Sequence, residues 1–176
     1  LPHMDDVTAA IEVLLSAKKP LVISGRGARG AHKELCEFLD KLGGAYLDTG
    51  ESKGLVPDSH PAVVAAMRGK VMGDADVIVT VGRRLDFQLA YGSPSVFGSA
   101  KFVRIGDIPT EVRDNRRGDI EINANPAKTL EAINGLIGDR KSSADREWIK
   151  ALREKHEERA QRLSESMATA PSDAEG

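Results

Sequence analysis

The densest run of residues able to hold an anion is Gly25-Arg26-Gly27-Ala28-Arg29-Gly30. Its spacing is GxGxxG, it follows an apolar run, and helical periodicity resumes just after it. In that setting backbone N–H groups at a helix start can face a phosphate, and glycines permit a close approach because no Cβ intervenes. Further groups have the charge to join such a site. They are Arg26 within the loop, Lys53 beyond the second apolar run, and Arg84 just after Gly82, where a guanidinium can grip a diphosphate through two parallel hydrogen bonds. Asp48 lies at about the distance at which a dinucleotide site places its ribose-binding carboxylate. The candidate nucleotide-binding set is Gly25, Arg26, Gly27, Ala28, Lys53, Gly82, Arg84 and Asp107. Each has an ordinary reading beside it: the glycines make a tight strand-to-helix turn, and single loop cations are solvated.

No catalytic set accompanies them. Cys36 sits beside Leu35 on a helical stretch, with no histidine placed to activate it, and reads as a core or boundary residue. His32, His60 and His156 keep no metal-ligand spacing with one another or with Cys36, so no metal site is expected. Arg104, Arg113, Arg116 and Arg117 read as a solvated strand-to-helix edge, and Arg117-Gly118-Asp119 as a chance match to an adhesion tripeptide.

The elements that must position these residues alternate. Val7, Ile11, Leu14 and Leu15 recur at helical spacing and predict a helix over 5–17, closed by Pro20. Leu21 to Ile23 is a short β-branched run of the kind found in buried parallel strands. Ala31, Leu35, Phe38, Leu39 and Leu42 form one helical face that Gly43-Gly44 ends. Ala45 to Leu47 is a second strand; a loop follows from Gly50, and Pro61 is expected to open a helix carrying Val63, Val64 and Met67. Val77–Val81, Phe102–Ile105 and Ile120–Ile122 are further strands, with a short helix from Pro109 and a longer one over Pro126–Ile137 capped by Asn125. This rhythm implies βαβ units around a parallel sheet covered on both faces. Ser142 to Ala160 is almost wholly charged, with Trp148, Ile149, Leu152 and Leu163 as a sparse apolar stripe; it is expected outside the core, followed by a disordered tail over Ala168–Gly176.

The chain has 176 residues, enough for one domain plus an appendage. Its 25 lysines and arginines against 27 acids give a net charge of -2, which supplies no summed positive field for nucleic acid. No apolar run approaches the ~20 residues of a membrane span, and one cysteine makes no internal disulfide, so a cytoplasmic protein is expected. Leu1 to Met4 reads as a remnant of an expression vector.

Several stretches taken together carry a resemblance. They are Lys18-Lys19-Pro20-Leu21-Val22-Ile23, Lys53-Gly54 followed by His60-Pro61, and Asp76-Val77-Ile78-Val79-Thr80-Val81-Gly82-Arg83-Arg84-Leu85-Asp86, continued by Phe102-Val103-Arg104-Ile105 and Glu111 to Asn115. In this order they resemble the middle domain of thiamine-diphosphate-dependent enzymes, over about residues 7–137. The Lys53-Gly54 to His60-Pro61 spacing and the turn at Gly82 to Leu85 are similar to the group of acetolactate synthase, oxalyl-CoA decarboxylase and 2-hydroxyacyl-CoA lyase.

The resemblance implies a Rossmann-like, three-layer α/β/α domain over 5–138 with a parallel sheet of five or six strands. Residues 139–176 would be an interdomain linker helix and tail. It also implies a parent acting on 2-keto acids or acyl-CoA thioesters, with a pyrimidine-binding domain before this one and a pyrophosphate-binding domain after it. Thiamine diphosphate and magnesium would belong to that parent. The family holds them on a Gly-Asp-Gly stretch with paired asparagines downstream, whereas here Gly118-Asp119 runs into Ile120. The isolated chain is therefore expected to be inactive. Some relatives hold ADP or FAD in this domain and carry acids after the fourth strand, where this chain has Gly106-Asp107-Ile108; a one-residue shift should aim Asp107 elsewhere. Bare interdomain faces would promote a weak homodimer. The alternative reading is a free-standing NAD-binding module of a dehydrogenase, using Asp48.

Overall fold

In the computed structural model, which describes residues 1–169, five parallel strands form one sheet in the order β2-β1-β3-β4-β5. They are β1 (Pro20–Ser24), β2 (Ala45–Leu47), β3 (Val77–Val81), β4 (Lys101–Gly106) and β5 (Ile120–Asn123). The helices are α1 (Met4–Ser16), α2 (His32–Leu42), α3 (Arg68–Asp74), α4 (Pro94–Phe97), α5 (Pro109–Val112), α6 (Pro126–Ile137) and α7 (Arg146–Thr169). Because strand side chains alternate, the sheet feeds two cores. Val22, Val79, Val81, Val103 and Ile105 meet α1, α2 and α6 on one face. Leu21, Ile23, Ile78 and Phe102 meet Val71 of α3, Phe97 of α4 and the start of α7 on the other. The three-layer parallel architecture is thus the expected one.

The local signals account for most boundaries. Gly43 ends α2 in the left-handed region, at φ 67°, and its N–H donates to the Leu39 carbonyl. The Asn125 side chain accepts the Lys128 N–H, with Pro126 opening α6. Met4, set aside in the sequence reading, is the first residue of α1.

The helix expected from Pro61 does not form. Tyr46 N–H donates to Ala62 O at 2.7 Å and Val64 N–H to Tyr46 O, so residues 62–64 run beside β2 as a short sixth rung. Helix α3 begins only at Arg68. An open strand edge beside β-branched Val63 and Val64 offers backbone pairing that outweighs the proline start signal.

The charged segment after Gly138 is also placed differently from expectation. Trp148 and Leu152 are buried in the second core, and the Trp148 Nε1–H donates to Asp74 Oδ2 at 3.0 Å. Arg153 donates to the carbonyls of Asp58, His60 and Val63. The first half of α7 is therefore part of the domain, and the second half, from Glu157 to Ala168, is exposed. Leu152→Ala should destabilise the chain by about 2 kcal/mol or more, measured by urea unfolding; a loss below about 0.5 kcal/mol would show that α7 is merely laid on the surface. Ala168 and Thr169 close α7, and the rest of the expected disordered tail lies outside the described residues.

Candidate functional site

The strand order reverses direction between β1 and β3, and open α/β sheets offer their crevice at the carboxyl ends of the strands where that happens. At this point the loop after β1 meets the loop after β3. Arg26 and Thr49 line one side of a crevice of about 270 Å³; Gly82, Arg83, Arg84 and Gln88 line the other.

The glycine loop is engaged with its neighbour. Gly25 N–H donates to Val81 O and Gly27 N–H to Gly82 O, both at 3.0 Å, and Ala28 N–H turns back to Gly25 O. A Cβ on Gly27 would lie 2.7 Å from the Gly82 Cα, and one on Gly25 would lie 2.7 Å from the Gly82 carbonyl oxygen. The loop makes a short 3-10 turn over Arg26–Ala28, and α2 begins later, at His32. The Gly25 and Gly27 N–H groups are thus spent on the end of β3 and the loop after it, and are not available to a phosphate.

Charges around the crevice are paired as well. Arg26 and Arg29 share Glu51, at 3.3 and 3.0 Å. Arg83 is about 10% exposed and reaches both carboxylate oxygens of Asp86 at 3.2 Å, with Gln88 Oε1 at 2.9 Å. Burial works to raise the Asp86 carboxyl, but the Arg83 guanidinium outweighs it and holds the group below its ordinary value. Arg84 is 63% exposed and 3.5 Å from Asp86, and Arg26 is 80% exposed. The Arg83 Nε is buried with no hydrogen-bond partner.

The candidate residues do not form one cluster. Arg26, Gly82 and Arg84 line the crevice, with Gly25 and Gly27 packed behind them. Ala28 is fully buried in the first core. Lys53 lies on a different groove with Asp58 and His156. Asp107 opens onto a small hollow beside Arg29, Gly30 and Asn125, away from the crevice. Asp48 also turns from the crevice, accepting the Gly54 N–H at 3.2 Å.

Sequence reasoning missed the groups that set the crevice's shape. Ser24, Tyr46, Thr49 and Ser52 form a buried hydroxyl network beneath it: Ser24 Oγ lies 2.6 Å from the Tyr46 hydroxyl and donates to Ser52 Oγ at 2.9 Å. Burial pushes the Tyr46 phenol up to about 12. Arg104, expected on a solvated edge, is fully buried. Its Nε donates to Thr80 Oγ1, and its terminal nitrogens to Asp114 and the carbonyls of Arg83, Glu111 and Arg116. The solvated reading holds better for Arg113 and Arg117, which are more than half exposed and flank Glu121. Position 104 pairs with Thr80 in register on the sheet, a partnership that a single strand's sequence does not reveal.

Among the described residues no group of three or more His, Cys, Asp or Glu is placed to hold a metal ion. The described residues do not fit thiamine diphosphate with its magnesium. No helix among the described residues is long and apolar enough to cross a membrane.

A doubly wound parallel sheet with a crevice at its switch point defines a Rossmann-like, three-layer α/β domain. The family can be given more closely. Residues 7–133 match the family model of the thiamine pyrophosphate enzyme central domain, and the chain belongs to that family. It is 29% identical over 171 residues to oxalyl-CoA decarboxylase of Escherichia coli (strain K12), covering 96% of this chain and 30% of the relative. It is 35% identical over 156 residues to 2-hydroxyacyl-CoA lyase 1 of Mus musculus, covering 85% and 26% respectively. The chain thus spans less than a third of the length of these relatives. The fold also matches the X-ray structure of a putative thiamin diphosphate-dependent enzyme from Mycobacterium smegmatis, with TM-score 0.65 and 20% identity over 80% of this chain and 30% of that one.

Proposed function

We propose that this chain is the scaffold domain of a thiamine-diphosphate-dependent enzyme acting on 2-keto acids or acyl-CoA thioesters in the cytoplasm. In that enzyme it packs between a pyrimidine-binding and a pyrophosphate-binding domain, and alone it turns nothing over. The observation that carries this is the use of the Gly25 and Gly27 N–H groups on the carbonyls of Val81 and Gly82. A glycine loop engaged in this way packs against the loop after β3 at the switch point and leaves neither glycine N–H to a phosphate. The relatives' names, a decarboxylase and a lyase of CoA thioesters, favour the acyl-CoA end of the substrate range. Helix α7 then connects onward to the pyrophosphate-binding domain, which would cover exposed Leu163 and Met167; bared, those side chains support weak self-association.

A second reading rests on Arg83, whose buried Nε lacks a partner and lies beside exposed Arg84. There the diphosphate of ADP or FAD bridges the crevice from the Arg84 side. A thermal-shift titration of the chain with ADP, FAD and NADH separates the two readings. A nucleotide at a hundred times its dissociation constant adds about 2.7 kcal/mol. The scaffold reading expects no shift with any of the three, and no release of carbon dioxide from pyruvate or oxalyl-CoA. Stabilisation by ADP or FAD that vanishes in Arg84→Ala selects the second reading. Stabilisation by NADH alone, lost in Asp48→Ala, would restore the dehydrogenase module.

A further inference from the structure

We infer that the groove between α7 and α3 binds a small molecule carrying several phosphoryl groups, at a site separate from the crevice. Lys155, Arg159 and Arg162 stand at i, i+4 and i+7 of α7 and line this groove together, with Lys70 of α3 also in its wall. Seven residues of helix rise ~10 Å, so the three α7 cations form a ladder of about that length. The groove encloses about 420 Å³, and Glu158 is the one acid among its lining residues.

Two features of this cluster favour an anion: its three α7 cations lack acid partners, and one of them is anchored across the groove. Several surface arginines elsewhere have an acid partner: Arg26 and Arg29 share Glu51, Arg113 and Arg117 share Glu121, and Arg153 pairs with Glu157. Among the described residues no acid stands within salt-bridge distance of Lys155, Arg159 or Arg162. Like charges at these spacings repel; Glu158, three residues after Lys155 and four before Arg162, offsets part of that repulsion, and an anion in the groove would offset more. Arg159 is in addition fixed across the groove, its Nη1 donating to the Ala66 carbonyl at 3.0 Å.

The ligand class follows from spacing and lining. A single carboxylate or sulfate reaches one or two of these cations, whereas linked phosphoryl groups run along the ladder and offer each cation an oxygen. Apart from Met67 and Gly69 the lining is charged, so the site selects for phosphate rather than for an apolar body.

Calorimetric titration of the chain with inorganic triphosphate, and separately with sulfate, tests this. Triphosphate should bind with a dissociation constant below ~1 mM at low salt, at least about tenfold more tightly than sulfate, and weaken as salt rises. The double substitution K155Q/R162Q, at two exposed positions, should lower the triphosphate affinity about tenfold or more, with an unchanged thermal melt. Arg84→Ala should leave that affinity alone, which keeps this test independent of the crevice. Binding lost in Arg84→Ala and retained in K155Q/R162Q would place the anion in the crevice and overturn the proposal. Equal affinity for sulfate, or no heat with triphosphate at about 1 mM, would overturn it as well.

Discussion

Arg104→Met is expected to cost the folded chain about 3–5 kcal/mol in urea unfolding, a large share of the roughly 5–15 kcal/mol that holds a domain together. The side chain is fully buried and every N–H donor it has is used. Nε gives 2.6 Å to Thr80 Oγ1; Nη1 gives 2.9 Å to Asp114 Oδ1 and 2.6 Å to Arg116 O; Nη2 gives 3.2 Å to Arg83 O and 2.8 Å to Glu111 O. Methionine supplies comparable volume but leaves a nearly buried carboxylate and three carbonyls without these donors. Asp114 also accepts the Leu85 N–H, and the Asn115 amide donates to Leu85 O at 2.9 Å, so the loops after β3 and β4 are held through one set of groups. Their loosening would carry away Arg83, Arg84 and with them one wall of the crevice. Arg104→Lys keeps the charge but has three donors in place of five, and should recover less than half of the loss. A methionine variant within about 1 kcal/mol of the parent would mean that the loops are held by other contacts.

Gly82→Ala should be the most damaging single methyl in the chain. Gly82 sits at φ 59°, and a Cβ there would lie 2.4 Å from both the Cα and the carbonyl carbon of Gly27 and 2.5 Å from the Ala28 nitrogen. All three are backbone atoms, which cannot swing aside as a side-chain end can. The left-handed conformation costs alanine about 1 kcal/mol, and separating the two loops adds overpacking of about 1–3 kcal/mol or more. We expect either insoluble protein or a loss above about 3 kcal/mol in urea. Gly30→Ala is the control: φ is 96°, yet nothing lies within 4 Å of its Cβ, so strain alone applies, at about 1–2 kcal/mol. Equal losses in the two variants would show that the close approach of the loops is not what demands glycine at position 82.

The family's architecture could be read from periodicity because each element announces itself locally. Leu21 to Ile23 and Val77 to Val81 are continuous apolar runs suited to strands buried on both faces, and Gly43 and Asn125 end and begin helices by their own backbone and side-chain chemistry. The glycine spacing likewise marked a tight turn after β1. It could not show which way the N–H groups would be spent, because a phosphate and the Gly82 loop make the same demand for glycine. That choice belongs to the pairing of β1 with β3, a contact between residues more than fifty apart in the chain.

The remaining differences have the same origin. Arg104, Trp148 and Leu152 look like surface residues in a charged context, and only the neighbours supplied by other elements, Thr80 and Asp114 for the first and Asp74 and the second core for the others, make burial favourable. Residues 61–64 carry a helix-start signal that yields to an open strand edge. The sequence by itself determined the five strands, helices α1, α2 and α6, and their order, which follow from local periodicity and turn chemistry, and its motifs carried the resemblance to the family. The tertiary structure alone decided which polar groups are already satisfied and which remain available, because a hydrogen bond is settled by the partner that arrives, whatever its distance along the chain.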